Sequence, residues 1–195
     1  AGYISGYRGS PLGGYDTALW RAQDHLDEHH IKFQAGVNED MAATACWGSQ
    51  QVGLWEGANY DGVFAIWYGK GPGVDRSGDA LKHGNMAGSS PHGGVLVLAG
   101  DDHGAKSSTT AHQSEQAFVA AMIPVLYPAS VQEYLDYGLF GIAMSRFSGA
   151  WTGIKCVGDV VEGSANVSLN PQRVEINIPD FDFPDDGVRL RWPDG

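Results

Sequence analysis

Short apolar runs alternate along the chain with stretches of helical period, the mark of βαβ units around a mostly parallel sheet. Tyr3-Ile4-Ser5 reads as a first strand, followed by a Gly/Pro loop over 6–14. Asp16 is placed to cap a helix over about 17–29, with its stripe at Leu19, Trp20, Ala22, Gln23 and Leu26. A second strand comes next, over 31–35. Asn38 then stands at the N-cap of a helix over about 39–55, whose face is Ala42, Ala45, Cys46, Ser49, Val52 and Gly53. Val63 to Tyr68 is apolar throughout, which suits a strand buried on both faces.

Residues 69–94 are rich in Gly, Ser and Pro and read as a long loop with a short helix near 78–87. The cleanest strand is 95–99. A polar loop over 100–113 leads to a helix at about 114–122, and then to a strand over 124–127. Ser130 caps a long helix carrying Val131, Tyr134, Leu135, Leu139, Ile142 and Phe147, and 154–157 is the last core strand. Beyond 165 the pattern becomes an alternation, Val174, Ile176, Ile178, and ends in an acidic, proline-containing stretch. The expected organisation is one domain over 1–160 and an extension, or the start of a linker, over 161–195.

Composition narrows the function classes. A net charge of −11 supplies no basic patch for phosphates, which argues against nucleic-acid binding. No apolar run reaches membrane-spanning length. Two distant cysteines make no metal framework, so a cytoplasmic setting is the expectation. Glycine, at 28 of 195 residues, is about twice its ordinary usage, and charged residues are only 18%. Both fit a domain of tight loops that neighbours cover, and the opening at Ala1 suggests a piece of a longer polypeptide.

In open parallel sheets ligands bind at the carboxyl ends of the strands. The polar loops over 5–16, 36–40, 69–94 and 100–113 all fall there, so that rim is the expected site. Glu39 stands on it, at the first turn of a helix. The residues alone leave two readings open: an acidic helix start favoured by the macrodipole, or a functional carboxylate covered by a partner surface. Asp101, Asp102, His103 and His112 are metal-ligating types without a fixed ligand spacing. Gly69-Lys70-Gly71-Pro72-Gly73 is neither a dinucleotide fingerprint nor a P-loop.

Taken in order, these segments resemble the pyrimidine-binding domain of the thiamine-diphosphate-dependent 2-oxoacid:ferredoxin oxidoreductases, most closely the indolepyruvate branch. Gly6-Tyr7-Arg8-Gly9-Ser10-Pro11 is similar to that family's G-Y-P-x-T-P loop, and Asn38-Glu39 to its N-E pair. Gly71-Pro72-Gly73 fits its S-G-P-G loop. Asp101-Asp102-His103-Gly104 with Ser107-Ser108 is similar to its D-D-P-x-x-x-S-S segment. Pro124 to Pro128 with Gln132-Glu133 matches the family's next strand and helix start.

The resemblance implies a specific chemistry. Glu39 would hydrogen-bond N1′ of the cofactor's aminopyrimidine and so activate thiamine diphosphate. A 2-oxoacid, indolepyruvate or another aryl pyruvate, would lose CO₂, its electrons passing through [4Fe-4S] clusters to ferredoxin and its acyl group to coenzyme A. Gly71 and Gly73 would line the cofactor, and Arg8, Ser10, Asp101, Asp102, His103 and Ser107 the substrate.

No metal ligand is implied on this chain. The G-D-G and downstream Asn of the diphosphate–magnesium domain are missing, since Gly100-Asp101-Asp102 and Gly158-Asp159-Val160 depart from them. The expected partners are therefore the diphosphate-binding domain with its Mg²⁺, the iron–sulfur domains and a second copy of the enzyme, and the isolated chain is expected to be inactive.

Arg8 and Ser10 depart from the family's proline and threonine, and Glu115 stands where relatives with a D-S-R run place arginine. Glu115 and the acidic tail also allow a non-catalytic assembly module with the same fold, and Asp101, Asp102, His103 and His112 allow a metal-dependent hydrolase.

Overall fold

A computed structural model describes residues 1–181; the acidic stretch over 182–195 lies outside the described residues. Among the described residues six strands form a single sheet: β1 (Gly2–Gly6), β2 (Ile31–Phe33), β3 (Phe64–Lys70), β4 (Val95–Asp101), β5 (Val125–Leu126) and β6 (Thr152–Val157). Their order is β2-β1-β3-β4-β6-β5, and every pairing is parallel. The α/β expectation holds, with the sheet wholly rather than mostly parallel.

Period-2 alternation divides the core into two layers. On one face, Ala65, Trp67, Val95, Val97 and Ala99 meet Ala42, Ala43 and Cys46 of α3 (Glu39–Ser49). Val74 of α4 (Gly71–Arg76), Leu81 of α5 (Gly78–Ala87) and Phe118 of α6 (Glu115–Ala120) complete that layer. On the other face, Ile4, Tyr68, Leu96, Ile154 and Cys156 meet Leu19 of α1 (Gly13–Arg21) and Leu26 of α2 (Gln23–Glu28). Tyr134 and Ile142 of α7 (Val131–Ser148) pack against the same layer. Trp67 and Tyr68 are neighbours in sequence, both fully buried, and belong to opposite layers.

Two helix starts obey their sequence signals. Asn38 Oδ1 accepts from Met41 N at 2.8 Å. Ser130 Oγ accepts from Glu133 N at 3.3 Å, while Glu133 reaches back to Ala129 N at 2.6 Å, a reciprocal cap. Asp16 does not cap. The helix begins earlier, at Gly13, and breaks at Ala22 into α1 and α2. Asp16 sits buried inside its first turn and accepts the Tyr68 hydroxyl at 2.6 Å. A buried carboxylate gains more from that bond than from a solvated cap.

The helix expected over 39–55 ends at Ser49, with a 3₁₀ turn at Val52–Leu54 beyond it. The short helix expected near 78–87 is α5, and the loop expected ahead of it is ordered as α4. Pro72 opens α4, where a missing N–H costs nothing, so the glycines beside it read as loop although they begin a helix. The Val174–Ile178 alternation forms no strand. Its segment crosses α7, held by an Arg173–Asp136 ion pair and by Ser168 N donating to Gln132 Oε1 at 2.7 Å. No described helix is long and apolar enough to cross a membrane.

The contact between α5 and the sheet is testable. A Cβ at Gly84 would stand 2.4 Å from Cζ2 of Trp151, whose side chain is fully buried. Helix propensity favours Gly84→Ala by about 1 kcal/mol, but overpacking costs about 1–3 kcal/mol. We expect a lower urea midpoint for the variant; a higher one would contradict this packing.

Candidate functional site

Chain connections leave β1 toward β2 on one side and β3 toward β4 on the other, so the sheet's switch point lies between β1 and β3. That crevice is the preferred ligand position of an open parallel sheet. The loop after β1, the start of α3, the start of α4 and the loop after β4 meet there.

Glu39 is the first residue of α3. Its carbonyl accepts from Trp67 Nε1 at 2.9 Å, which ties the helix start to the sheet. Its half-buried side chain lies against the first turn of α4. A Cβ at Gly73 would meet Glu39 Oε1 at 2.8 Å, and one at Gly69 would meet Glu39 Cγ at 3.4 Å. Gly71 is constrained differently: its Cβ would fall 2.1 Å from His112 Nδ1, and that ring hydrogen-bonds Asp75 Oδ2 through Nε2 at 2.9 Å. Both glycines of α4 therefore give room to side chains that converge on it. No residue among those described hydrogen-bonds the Glu39 carboxylate, so its oxygens remain available to an external donor.

A second cluster joins the loops after β1, β3 and β4. Lys70 Nζ donates to Ser107 O at 3.1 Å and Ser107 Oγ at 3.3 Å. Ser107 N and Oγ donate to Asp102 Oδ2 at 2.9 and 3.1 Å, and Ser107 Oγ lies 3.5 Å from Ser10 O. The Ser107 N–H holds the Asp102 carboxyl below its usual range, outweighing what burial does to raise it. Ser10, Asp102 and His103 also line a polar cavity of about 220 Å³ with Lys106, Asp159 and Glu162. Arg8 is exposed on the same loop as Ser10 and makes no ion pair among the described residues.

Asp101 lies beneath this rim. Its side chain is fully buried, and its oxygens accept Ser114 Oγ at 2.5 Å and Ser114 N at 2.9 Å. Lys155, also buried, stands 3.6 Å from Asp101, pairs with Glu115, and lies 5.1 Å from the Tyr127 ring centroid. Asp101 thus organises the wall from within and does not face the pocket. Burial works to raise the Glu115 carboxyl, but the Lys155 hydrogen bond and charge outweigh it and hold the carboxyl low.

Asp101, Asp102, His103 and His112 do not converge on one point. Among the described residues the group with ligand atoms within 4.8 Å of one another is instead the exposed His25, Glu28 and His29, which removes the basis for the hydrolase reading. Sequence reasoning assigns no role to Lys70 or Lys155. Lys70 carries a signal in being a cation at a strand end between glycines, whereas nothing local marks Lys155. A larger cavity of about 1360 Å³ runs between α1 and α7, meets the polar cavity only at Pro11, and is lined by side chains such as Leu135, Leu139, Ile142 and Ile176. Its lining is apolar, so the rim, although smaller, is the site of interest.

No family profile matches the sequence, and no curated protein matches it. By structure, the chain is similar to the 2-oxoglutarate:ferredoxin oxidoreductase from Magnetococcus marinus, solved with 2-oxoglutarate, coenzyme A and succinyl-CoA bound. The TM-score is 0.60 at 18% identity. The fold is that of part of a 2-oxoacid:ferredoxin oxidoreductase. The match covers 80% of this chain but only 26% of that one, so the likeness is to one portion of a larger enzyme.

The Lys155 cluster gives a stability test. Lys155→Met leaves Asp101 buried without a cation, a change that costs about 3–5 kcal/mol. Urea denaturation should show that loss, and a cost under about 1 kcal/mol would contradict a working buried pair. Glu115 contributes to the pH dependence, as do Asp102 and Asp136, whose carboxyls are also held low. The folded pKa of Glu115 is lowered, so its contribution is complete above the ordinary value of 4.5 and is lost as pH falls through the lowered one. Glu115→Gln should partly flatten that acid limb of stability; an unchanged limb would exclude Glu115 as a source of it.

Proposed function

We propose that this chain is the pyrimidine-binding part of a thiamine-diphosphate-dependent 2-oxoacid:ferredoxin oxidoreductase, and that it contributes the glutamate that activates the cofactor. The observation that carries the reading is Glu39. It is a helix-start carboxylate at the switch-point crevice, anchored through its own carbonyl to Trp67, pressed on Gly73, and without a hydrogen-bond partner among the described residues.

These residues fit the cofactor. Gly69 and Gly73 leave room that a Cβ would take from Glu39, and the free carboxylate oxygens suit a ring-nitrogen donor. Thiamine diphosphate, when bound, supplies the nucleophilic carbon that takes up a ketone and holds the electron pair left as CO₂ departs. Glu39 holds a proton at N1′ of the aminopyrimidine, and the Trp67 bond fixes the helix start from which it does so. Gly73 lets Glu39, and Gly71 lets His112, lie against α4, so the cofactor ring would approach this helix start across those two side chains. Ser10 and Ser107 present hydroxyls to the substrate side, and Asp102 orients Ser107.

The substrate in this reading is an aryl 2-oxoacid, with indolepyruvate first, because the sequence pattern is nearest that branch. Mg²⁺ with the diphosphate-binding domain, the [4Fe-4S] clusters, ferredoxin and coenzyme A belong to the remainder of the enzyme. A likeness to about a quarter of a longer oxidoreductase chain supports that division of labour.

The test is viologen reduction driven by indolepyruvate, phenylpyruvate or pyruvate, using the complete protein that carries this chain. Glu39→Gln should lower turnover by roughly 10²–10⁴-fold with the fold intact by circular dichroism. Near wild-type turnover in the variant would overturn the assignment. Wild-type protein with intact clusters that reduces no dye with any of the three acids would point to the assembly-module reading instead.

A further inference from the structure

A 2-oxoacid carries a carboxylate that must be held before it can leave as CO₂, so the crevice needs a cation in a fixed place. Lys155 is unavailable, being buried and shared between Glu115 and Asp101. Glu115 adds a negative charge at the start of α6, so that corner cannot attract an anion. His112 is engaged by Asp75. Arg8 and Lys106 stand exposed on loops and make no side-chain hydrogen bonds among the described residues.

Lys70 differs from all of these. It ends β3 at the switch point, beside the loop after β1. Its stem lies against Gly9, where an added Cβ would come within 2.9 Å of Lys70 Cδ. Two of its N–H groups are held by Ser107 O and Oγ. Among the described residues no carboxylate oxygen lies within 4.0 Å of Nζ, although Asp102 is bound to the same serine. One donor is therefore unspent, on an ammonium whose position is set by two loops. A Cβ at the preceding residue, Gly69, would come within 3.4 Å of Glu39 Cγ, which places Lys70 next to the Glu39 side of the crevice.

On the functional reading above, we propose that Lys70 is the residue that binds the substrate carboxylate and confers specificity for 2-oxoacids over neutral ketones. The ammonium, steadied by Ser107, donates to a carboxylate oxygen, and Asp102 acts through Ser107 as a positioning residue. The cation does its work at the end of β3, which explains how the site tolerates Glu115 at the start of α6.

Two readouts on the complete enzyme test this. In the phenylpyruvate-driven assay, Lys70→Met should raise KM at least tenfold with kcat changed less than about threefold, and Lys70→Arg should restore most of the loss. Mass spectrometry of wild-type protein treated with an acetylating reagent should show Lys70 protected by phenylpyruvate and not by the neutral ketone phenylacetone. An unchanged KM, a fall in kcat together with thermal stability, or equal protection by both ligands would overturn the proposal. Glu39→Gln serves as the separate control. If that variant turns over normally, the functional reading fails; if it is inactive while the Lys70 variants behave as wild type, only the carboxylate assignment fails.

Discussion

Parallel pairing of β1 with β3, from Gly2 opposite Phe64 to Gly6 opposite Tyr68, is the constraint on which the site depends. Two strands about 60 residues apart in sequence are held side by side, and their connections run in opposite directions across the sheet. Their carboxyl ends therefore open a crevice that no connecting helix fills. The loop carrying Ser10, the cation at Lys70 and the α4 turn beside Glu39 all hang from these two strands. Because helices cover both faces, the strand ends are rigid, and rigid strand ends are what a precise polar site requires.

Close approach is the second theme. A high glycine count suggests loops, yet several glycines have steric duties at ordered elements. Gly73 admits Glu39, Gly71 admits His112 and Gly9 admits Lys70. Each lets a chemically useful side chain lie flat against backbone. The Asp101–Lys155–Glu115 group does the complementary task, compensating the buried Asp101 and Lys155 charges beneath the rim.

The strands were largely legible because buried parallel strands are continuous apolar runs, and β4 is the clearest case. Caps at Asn38 and Ser130 were legible for the same local reason. Strand order was not: β6 inserts between β4 and β5, and nothing local in Thr152–Val157 records which neighbour it takes. The start of α4 was hidden because Gly71-Pro72-Gly73 carries loop chemistry in a helical first turn. Asp16 looked like a cap because its attraction to Tyr68, 52 residues away, is invisible in a local pattern. The same limit separates Asp101 from Asp102. Adjacent in sequence, they point to opposite environments at a strand end, one into the core and one onto the rim.

In the function proposed above, Glu39 activates a bound cofactor. The most direct measurement is the rate at which the C2 proton of thiamine diphosphate exchanges with deuterium when bound to the complete enzyme, compared between wild type and Glu39→Gln. Exchange should be fast in wild type and slowed by orders of magnitude in the variant, with cofactor still bound. Equal rates in the two proteins would contradict it.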